Sequence, residues 1–367
     1  MAPRDYRVKM LEAFEQVRNP TLFYASMFKT TEEDIVDTRK VEIDIQRHGQ
    51  SIAIDVVPGG IGNMNLIERF TTKEFEPPVY DEYTPFHATT VFDRQFGQPD
   101  NVAFDANRFL GRVVAKQKLL YDKELRAMEW QASQALFSGQ IPLVNAVTID
   151  FKQKATHQHD AAVAWSDAAS KQVNDLQACC ELIVNDGGAR PAIAVFGKTA
   201  WQNIWANTDL MNRLNFRRAD VAQLNMPVNV DQGAVYHGTI AAGSYTLDCF
   251  TYDKQYDVPT DAELGFPSGT IPNAGTTQPF TPVNSVLVMG ADLDLRCVYA
   301  ATPALVPTVD PALVSMGITA VPSLYRGKYQ LYGYPSRNGE SVIVGVRSAP
   351  LMIPTQIDGW VVLDTAP

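Results

Sequence analysis

Three short stretches of the sequence hold residue types with catalytic or ligand-binding chemistry. Gly197-Lys198-Thr199 follows an apolar run, Ala192 to Phe196, in the order of a phosphate-binding loop. Such a loop needs G-x-x-x-x-G-K-[ST], because a glycine-rich backbone lets successive N–H groups wrap phosphate oxygens. The first glycine would fall at position 192, which is Ala192, so a strand-to-helix turn is the favoured reading. His157-Gln158-His159-Asp160 would put two imidazoles on one face of a strand. A zinc site wants three or four ligands at defined spacing. Only His48, His87 and His237 remain elsewhere, without an H-E-x-x-H pattern, so a solvated polar loop is favoured over a metal site. Cys179-Cys180 invites a nucleophile or redox reading. Both lie in a helical pattern with Leu176 and Ile183, where a small buried hydrophobe is the favoured account. No G-x-S-x-G elbow and no G-x-G-x-x-G occurs, and 41 Asp and Glu make paired carboxylates uninformative. No catalytic, cofactor-binding or metal residue is nominated, and neither an enzyme activity nor a cofactor is expected.

The elements that would position any such residues belong to a chain of globular composition. Of 367 residues, 46% are apolar and 20% charged, enough for a large core without disulfide staples. The four cysteines (the pair plus Cys249 and Cys297) show no disulfide framework, and a cytosolic setting would keep them reduced. A net charge of −10 argues against a dedicated nucleic-acid binder, whose affinity comes from Lys and Arg displacing counterions. It leaves open a wall that merely encloses nucleic acid. The first residues lack the apolar stretch of a secretory signal, and no run approaches the ~18 apolar residues of a membrane span.

Along the chain, Tyr6 to Val17 is helix-compatible and stops at Asn19-Pro20. Thr21 to Phe28 is rich in aromatics and needs somewhere to dock. Val41, Ile43 and Ile45 alternate with polar residues as a half-buried strand; Arg47 to Gln50 reads as a turn and Ser51 to Val57 as a second arm. An extended excursion with Pro77, Pro78 and Pro85 then runs to about Asp93. The strongest helix runs from an Asp105 cap to Phe137, with a stripe from Leu110, Val113 and Val114 through Tyr121, Leu125 and Met128 to Ala132, Ala135 and Leu136. Asp122 and Arg126 are spaced for an ion pair, and Gly139 and Pro142 end the helix. At 1.5 Å per residue it spans ~45–50 Å, a spine several times the usual length. An α/β texture follows. It has a strand at Ala146 to Phe151, a helix from Ser166 to about Val184, buried strands at Ala192 to Phe196 and Val286 to Met289, and a helix holding Trp201, Ile204 and Trp205. Residues 226 to 283 are rich in Gly, Pro, Thr and Asp, with short strands such as Tyr245 to Phe250. The tail returns to β at Lys328 to Tyr334, Ser341 to Val346, Ala349 to Pro354 and Trp360 to Leu363, with an Asn338-Gly339 turn.

At the C-terminus, Ser348-Ala349-Pro350-Leu351-Met352 followed by Asp358-Gly359-Trp360-Val361-Val362 resembles the closing segment of the lambda-type major capsid protein family. The likeness recurs in order. Asn19-Pro20 through Phe28 is similar to the family's N-arm; Lys29 to Ile45 resembles the run into its extended loop. Thr71 to Phe75 with Pro77 and Tyr80 resembles the return leg, and Val195-Phe196 with Trp201 and Leu214 resembles its outer domain. The resemblance implies an α+β Hong Kong 97-like capsid fold. Residues 1–40 would be the N-terminal arm, 41–93 the extended β-hairpin loop, and 94–145 the peripheral domain with the spine helix. Residues 146–315 would be the axial domain and 316–367 the return strands of the peripheral domain.

The function so implied is that of a major capsid protein of a tailed bacteriophage, forming pentamers and hexamers of an icosahedral shell around double-stranded DNA. The arm and hairpin would lie over neighbouring copies, and the permissive backbone of Gly59, Gly60 and Gly62 makes them the candidate hinge that would let one chain serve both rings. The implied partners are other copies of itself, a scaffolding protein, a portal and a decoration protein, with DNA enclosed without sequence-specific binding and no membrane. The place would be the virion, with assembly in the host cytoplasm. Side-chain crosslinking, found elsewhere in the fold, has no matching motif. A tail-tube protein is the second reading, disfavoured by the spine helix, and a cytoplasmic hydrolase the third.

Overall fold

The computed structural model describes residues 20–45, 71–87, 106–143, 148–207, 233–264, 267, 271–307, 315, 320–335 and 340–367. In chain order the strands β1 (Val41–Ile45), β2 (Thr71–Phe75) and β3 (Tyr80–His87) precede the spine helix α1 (Ala106–Ser138). Then come β4 (Gln140–Pro142), β5 (Thr148–Asp150), β6 (Gln158–Asp160), α2 (Gln172–Leu182), β7 (Pro191–Phe196) and α3 (Lys198–Ala206). The next stretch holds β8 (Val235–Ala242), β9 (Tyr245–Thr251), β10 (Gln255–Asp257), α4 (Asp261–Leu264), β11 (Thr277–Pro279) and β12 (Ser285–Gly290). The tail adds β13 (Leu295–Tyr299), β14 (Thr302–Pro307), β15 (Ala320–Tyr325), β16 (Gln330–Pro335), β17 (Ser341–Ser348), β18 (Pro350–Pro354) and β19 (Trp360–Asp364).

The centre is a six-stranded mixed sheet in the order β6-β19-β12-β7-β9-β8. Its inner strands are apolar runs because both faces are covered. Period-two alternation sends Ala194, Phe196, Val286, Val288, Val361 and Leu363 to one face, against Leu176, Cys179, Cys180 and Ile183 beyond it. Val195, Leu287, Met289, Trp360 and Val362 point to the other face, toward Ala132 and Leu136 of the spine. The sheet is therefore sandwiched between α2 with α3 on one side and α1 on the other. Trp360 locks the second interface: its Nε1–H donates to the Leu136 carbonyl at 2.7 Å. The last strand, expected among the return strands of the peripheral domain, thus lies between β6 and β12 in this sheet.

A second, three-stranded antiparallel sheet, β16-β17-β3, packs across the middle of the spine. β3 falls within the stretch whose prolines suggest an irregular excursion. It is a full strand, and Pro85 is tolerated because β3 is an edge strand whose lost N–H costs no ladder bond. β1 pairs with β2, Val41 opposite Phe75, so the described partner of the first arm is 71–75. The expected second arm at Ser51 to Val57, its turn at Arg47 to Gln50 and the Gly59, Gly60 and Gly62 hinge lie outside the described residues. So do the Tyr6 to Val17 helix, the Asp105 cap and the Asn338-Gly339 turn.

The spine occurs where its stripe predicts, and Gly139 terminates it in the left-handed region, φ +64°. Asp122, expected to pair with Arg126, is instead buried and makes no such ion pair. The helix expected from Ser166 begins at Gln172. Trp165 explains the delay: its N–H is held by Thr365 O and its ring Nε1–H by buried Asp175, which keeps 161–171 in turns.

Candidate assembly surfaces

The aromatic arm is the first surface with a stated place. A 3₁₀ turn, Ala25–Met27, brings Phe23 and Tyr24 to complete burial in the subunit's own core. Phe23 stacks on Tyr252 at 5.0 Å, and Tyr24 meets Phe137 and Tyr252 edge-on. The backbone N–H groups of Tyr24 and Ala25 donate to the two carboxylate oxygens of Glu129 on the spine, at 2.9 and 2.8 Å. Burial pushes the Glu129 carboxyl up to about 7, against the lowering effect of those N–H groups. Thr281 gives its proton to Tyr252 O, so the Tyr24 hydroxyl donates to Thr281 Oγ1 at 2.6 Å. The expectation that this apolar segment is covered by a neighbouring copy is thereby corrected: Phe23 to Phe28 is seated on its own chain. Backbone bonds between Lys29 and β13 and between Val36 and Tyr299 carry the arm onward.

Three further surfaces lie beyond the arm. The ribbon β1–β2 is anchored at its base by Phe75 against Phe151, at 6.2 Å, and by a Lys40–Glu74 ion pair at 2.8 Å. The first half of the spine leaves Leu110 60% and Val114 56% exposed, whereas Ala132, Ala135 and Leu136 of the second half are buried. The outer face of the three-stranded sheet shows Tyr83 and Tyr334, joined by the Arg347–Asp81 ion pair at 2.6 Å. An apolar stripe that faces solvent along half a helix is a feature that a partner surface removes from water.

The stretches with chemical residue types are occupied structurally. Gly197 caps α3 after β7, the turn expected from the missing glycine at position 192. A side chain there would collide with the Pro282 carbonyl oxygen. The Thr199 and Ala200 N–H groups, which would face a phosphate, both donate to Val283 O, at 2.9 and 3.1 Å. His157 corrects the solvated-loop reading: it is fully buried, with Nδ1 2.7 Å from Trp360 O and Nε2 3.3 Å from Asp186 Oδ2, and β6 carries the next residues into the main sheet. Among the described residues no group of three or more His, Cys, Asp or Glu is placed to hold a metal ion. Cys179, Cys180, Cys249 and Cys297 are buried and free; burial pushes Cys180 up to about 12 and Cys297 up to about 11, so both stay unreactive thiols. Among the described residues no helix is long and apolar enough to cross a membrane.

Sequence reasoning missed Glu129. A lone Glu at that point of a helix has no local signal, because its partners lie 105 and 104 residues away.

Comparison with known proteins gives these surfaces a context. The phage major capsid protein E family profile matches residues 7–365. Among solved structures, one described as a prophage capsid protein of E. coli CFT073 superposes with a TM-score of 0.52 at 15% identity, covering 94% of this chain and 93% of that one. The capsid of Ralstonia phage GP4 gives 0.50 at 13% identity, covering 99% and 96%. Both show the Hong Kong 97-like fold for this mixed helix-and-strand chain. No curated protein sequence matches.

Proposed function

Because the chain belongs to the phage major capsid protein E family, we propose that it forms the pentamers and hexamers of an icosahedral shell around double-stranded DNA in a tailed bacteriophage. Its role as a self-assembling structural protein of the virion, not an enzyme and not a tail tube, follows from the family itself. The match over residues 7–365 is the observation that carries the reading.

The parts divide as arm (1–40), extended loop (41–93), peripheral domain with spine (94–145), axial domain (146–315) and return strands (316–367), with β19 contributing to the main sheet. Apolar area on the first half of the spine costs ~25 cal/mol per Å² while it faces water. Head-to-tail packing of copies around a ring removes that cost. Phe23, Tyr24, Ala25 and Phe28 are already buried in the subunit and fix the arm's point of departure instead. Gly59, Gly60 and Gly62 supply the bend between rings of five and six.

A scaffolding protein, a portal and a decoration protein are the further partners, with assembly in the host cytoplasm. The net charge of −10 suits a wall that holds DNA without binding its sequence. Co-expression with the neighbouring virion genes tests this: the protein should sediment as DNA-free shells with scaffold and as DNA-filled particles after packaging. Recovery only as soluble subunits in both states would overturn it.

A further inference from the structure

We propose that Glu124 is a proton-linked latch between the spine helix and the sheet β16-β17-β3, closed while its carboxyl is neutral and strained when it ionises. Glu124 is 2% exposed, and neither carboxylate oxygen has a hydrogen-bond partner. It faces the start of β3, where its charge interacts with Tyr80, Asp81 and Glu82. The cations in reach are already engaged. Lys123 Nζ goes to Glu82 at 2.7 Å, and Arg347 from β17 goes to Asp81 at 2.6 and 3.0 Å. Glu263 also draws on Lys123, and Asp122 adds a buried acid on the helix itself. Lys123 and Arg347 are thus held by Glu82 and Asp81, and Glu124 stays buried with both oxygens unpartnered.

A buried carboxylate without a partner is neutralised rather than held as an ion. Burial, then the charges of Glu82 and Asp81, push Glu124 up to about 8. The folded group keeps its proton to higher pH than the unfolded one, whose ordinary value is 4.5. Docking stability from this group is thus fully present below about 4.5 and is lost as pH rises through about 8. The consequence reaches the ribbon, because β3 follows β2 after only Glu76 to Val79. Loosening β3 from the spine removes one attachment of the ribbon and leaves it held by Phe75 on Phe151. This bears on shell assembly only through the proposed function; the latch itself is a property of the isolated subunit and is tested there.

The experiment compares wild type with Glu124→Gln and Glu124→Leu as purified subunits, by chemical denaturation at pH 5 to 9 and by hydrogen exchange of peptides covering 71–87. Between about pH 5 and 8 the wild-type unfolding constant should rise by up to about tenfold per pH unit more than that of either variant, and the profiles should run parallel above that. Protection at β3, after division by the intrinsic base-catalysed exchange rate, should fall in the same window in wild type alone. The leucine variant, which removes the polar group altogether, should be at least as stable as wild type at pH 8.5. Parallel pH profiles for wild type and both variants, or two variants less stable than wild type at pH 8.5, would overturn the latch.

Discussion

Glu129 on the spine helix receives the backbone N–H groups of Tyr24 and Ala25, one on each carboxylate oxygen, and so caps a turn more than a hundred residues away in sequence. Both donors are buried with it. Removing the acceptor strands two N–H groups, at roughly 1–3 kcal/mol each. Glu129→Ala should cost about 2–4 kcal/mol in urea denaturation, and limited proteolysis should open first near 20–28. A variant with wild-type stability would show that the arm is held by its aromatics alone.

The same carboxyl links stability to pH. Its folded value of about 7 lies above the ordinary 4.5. Its contribution is thus present below about 4.5 and is lost as pH rises through about 7. Glu129→Gln, which cannot titrate, should show a shallower fall in thermal midpoint between pH 5 and 7 than wild type. Identical slopes would assign the wild-type fall to other groups.

Gly197 separates a structural turn from a phosphate loop. Gly197→Ala would drive its Cβ into the Pro282 carbonyl and should destabilise by about 2 kcal/mol or more. Lys198→Ala should leave stability within about 0.5 kcal/mol, as expected of a surface residue. Nucleotide titration followed by calorimetry should give no heat with either the wild type or the lysine variant.

Leu110 and Val114 are exposed in the subunit and belong, on the proposed function, to a surface covered in the shell. The double replacement Leu110→Ser and Val114→Ser should keep the thermal midpoint of the subunit while abolishing closed particles in electron micrographs. Normal particles from this variant would move the contact elsewhere.

Replacing Gly59, Gly60 and Gly62 together with alanine should leave the protein soluble and impair closure. Micrographs should show sheets, tubes or open fragments in place of shells. Normal shells would remove the hinge from these positions.

Much of the frame is legible in the sequence, because it rests on periodicity. The spine's three-and-four spacing sets α1 within a residue of its expected ends, and the runs at 192–196 and 286–289 mark strands covered on both faces. What is not legible depends on distant partners. β3 is hidden by Pro85, which reads as a break until β17 makes it an edge strand. His157 reads as polar and solvated between Thr156 and Gln158, yet Trp360 O and Asp186 take both its ring nitrogens. The aromatics at 23–28 announce a need for burial without saying on which chain, and only Tyr252, Phe137 and Glu129 supply the answer. Glu124 and Glu129 look like ordinary helix surface in sequence, and nothing local distinguishes them from solvated acids.

The most direct test of the shell assignment is negative-stain microscopy with multi-angle light scattering on recombinant protein, alone and with its genomic neighbours. Closed particles, or rings of five and six subunits, are the predicted result. A monodisperse monomer or dimer under every condition, scaffold included, would contradict it.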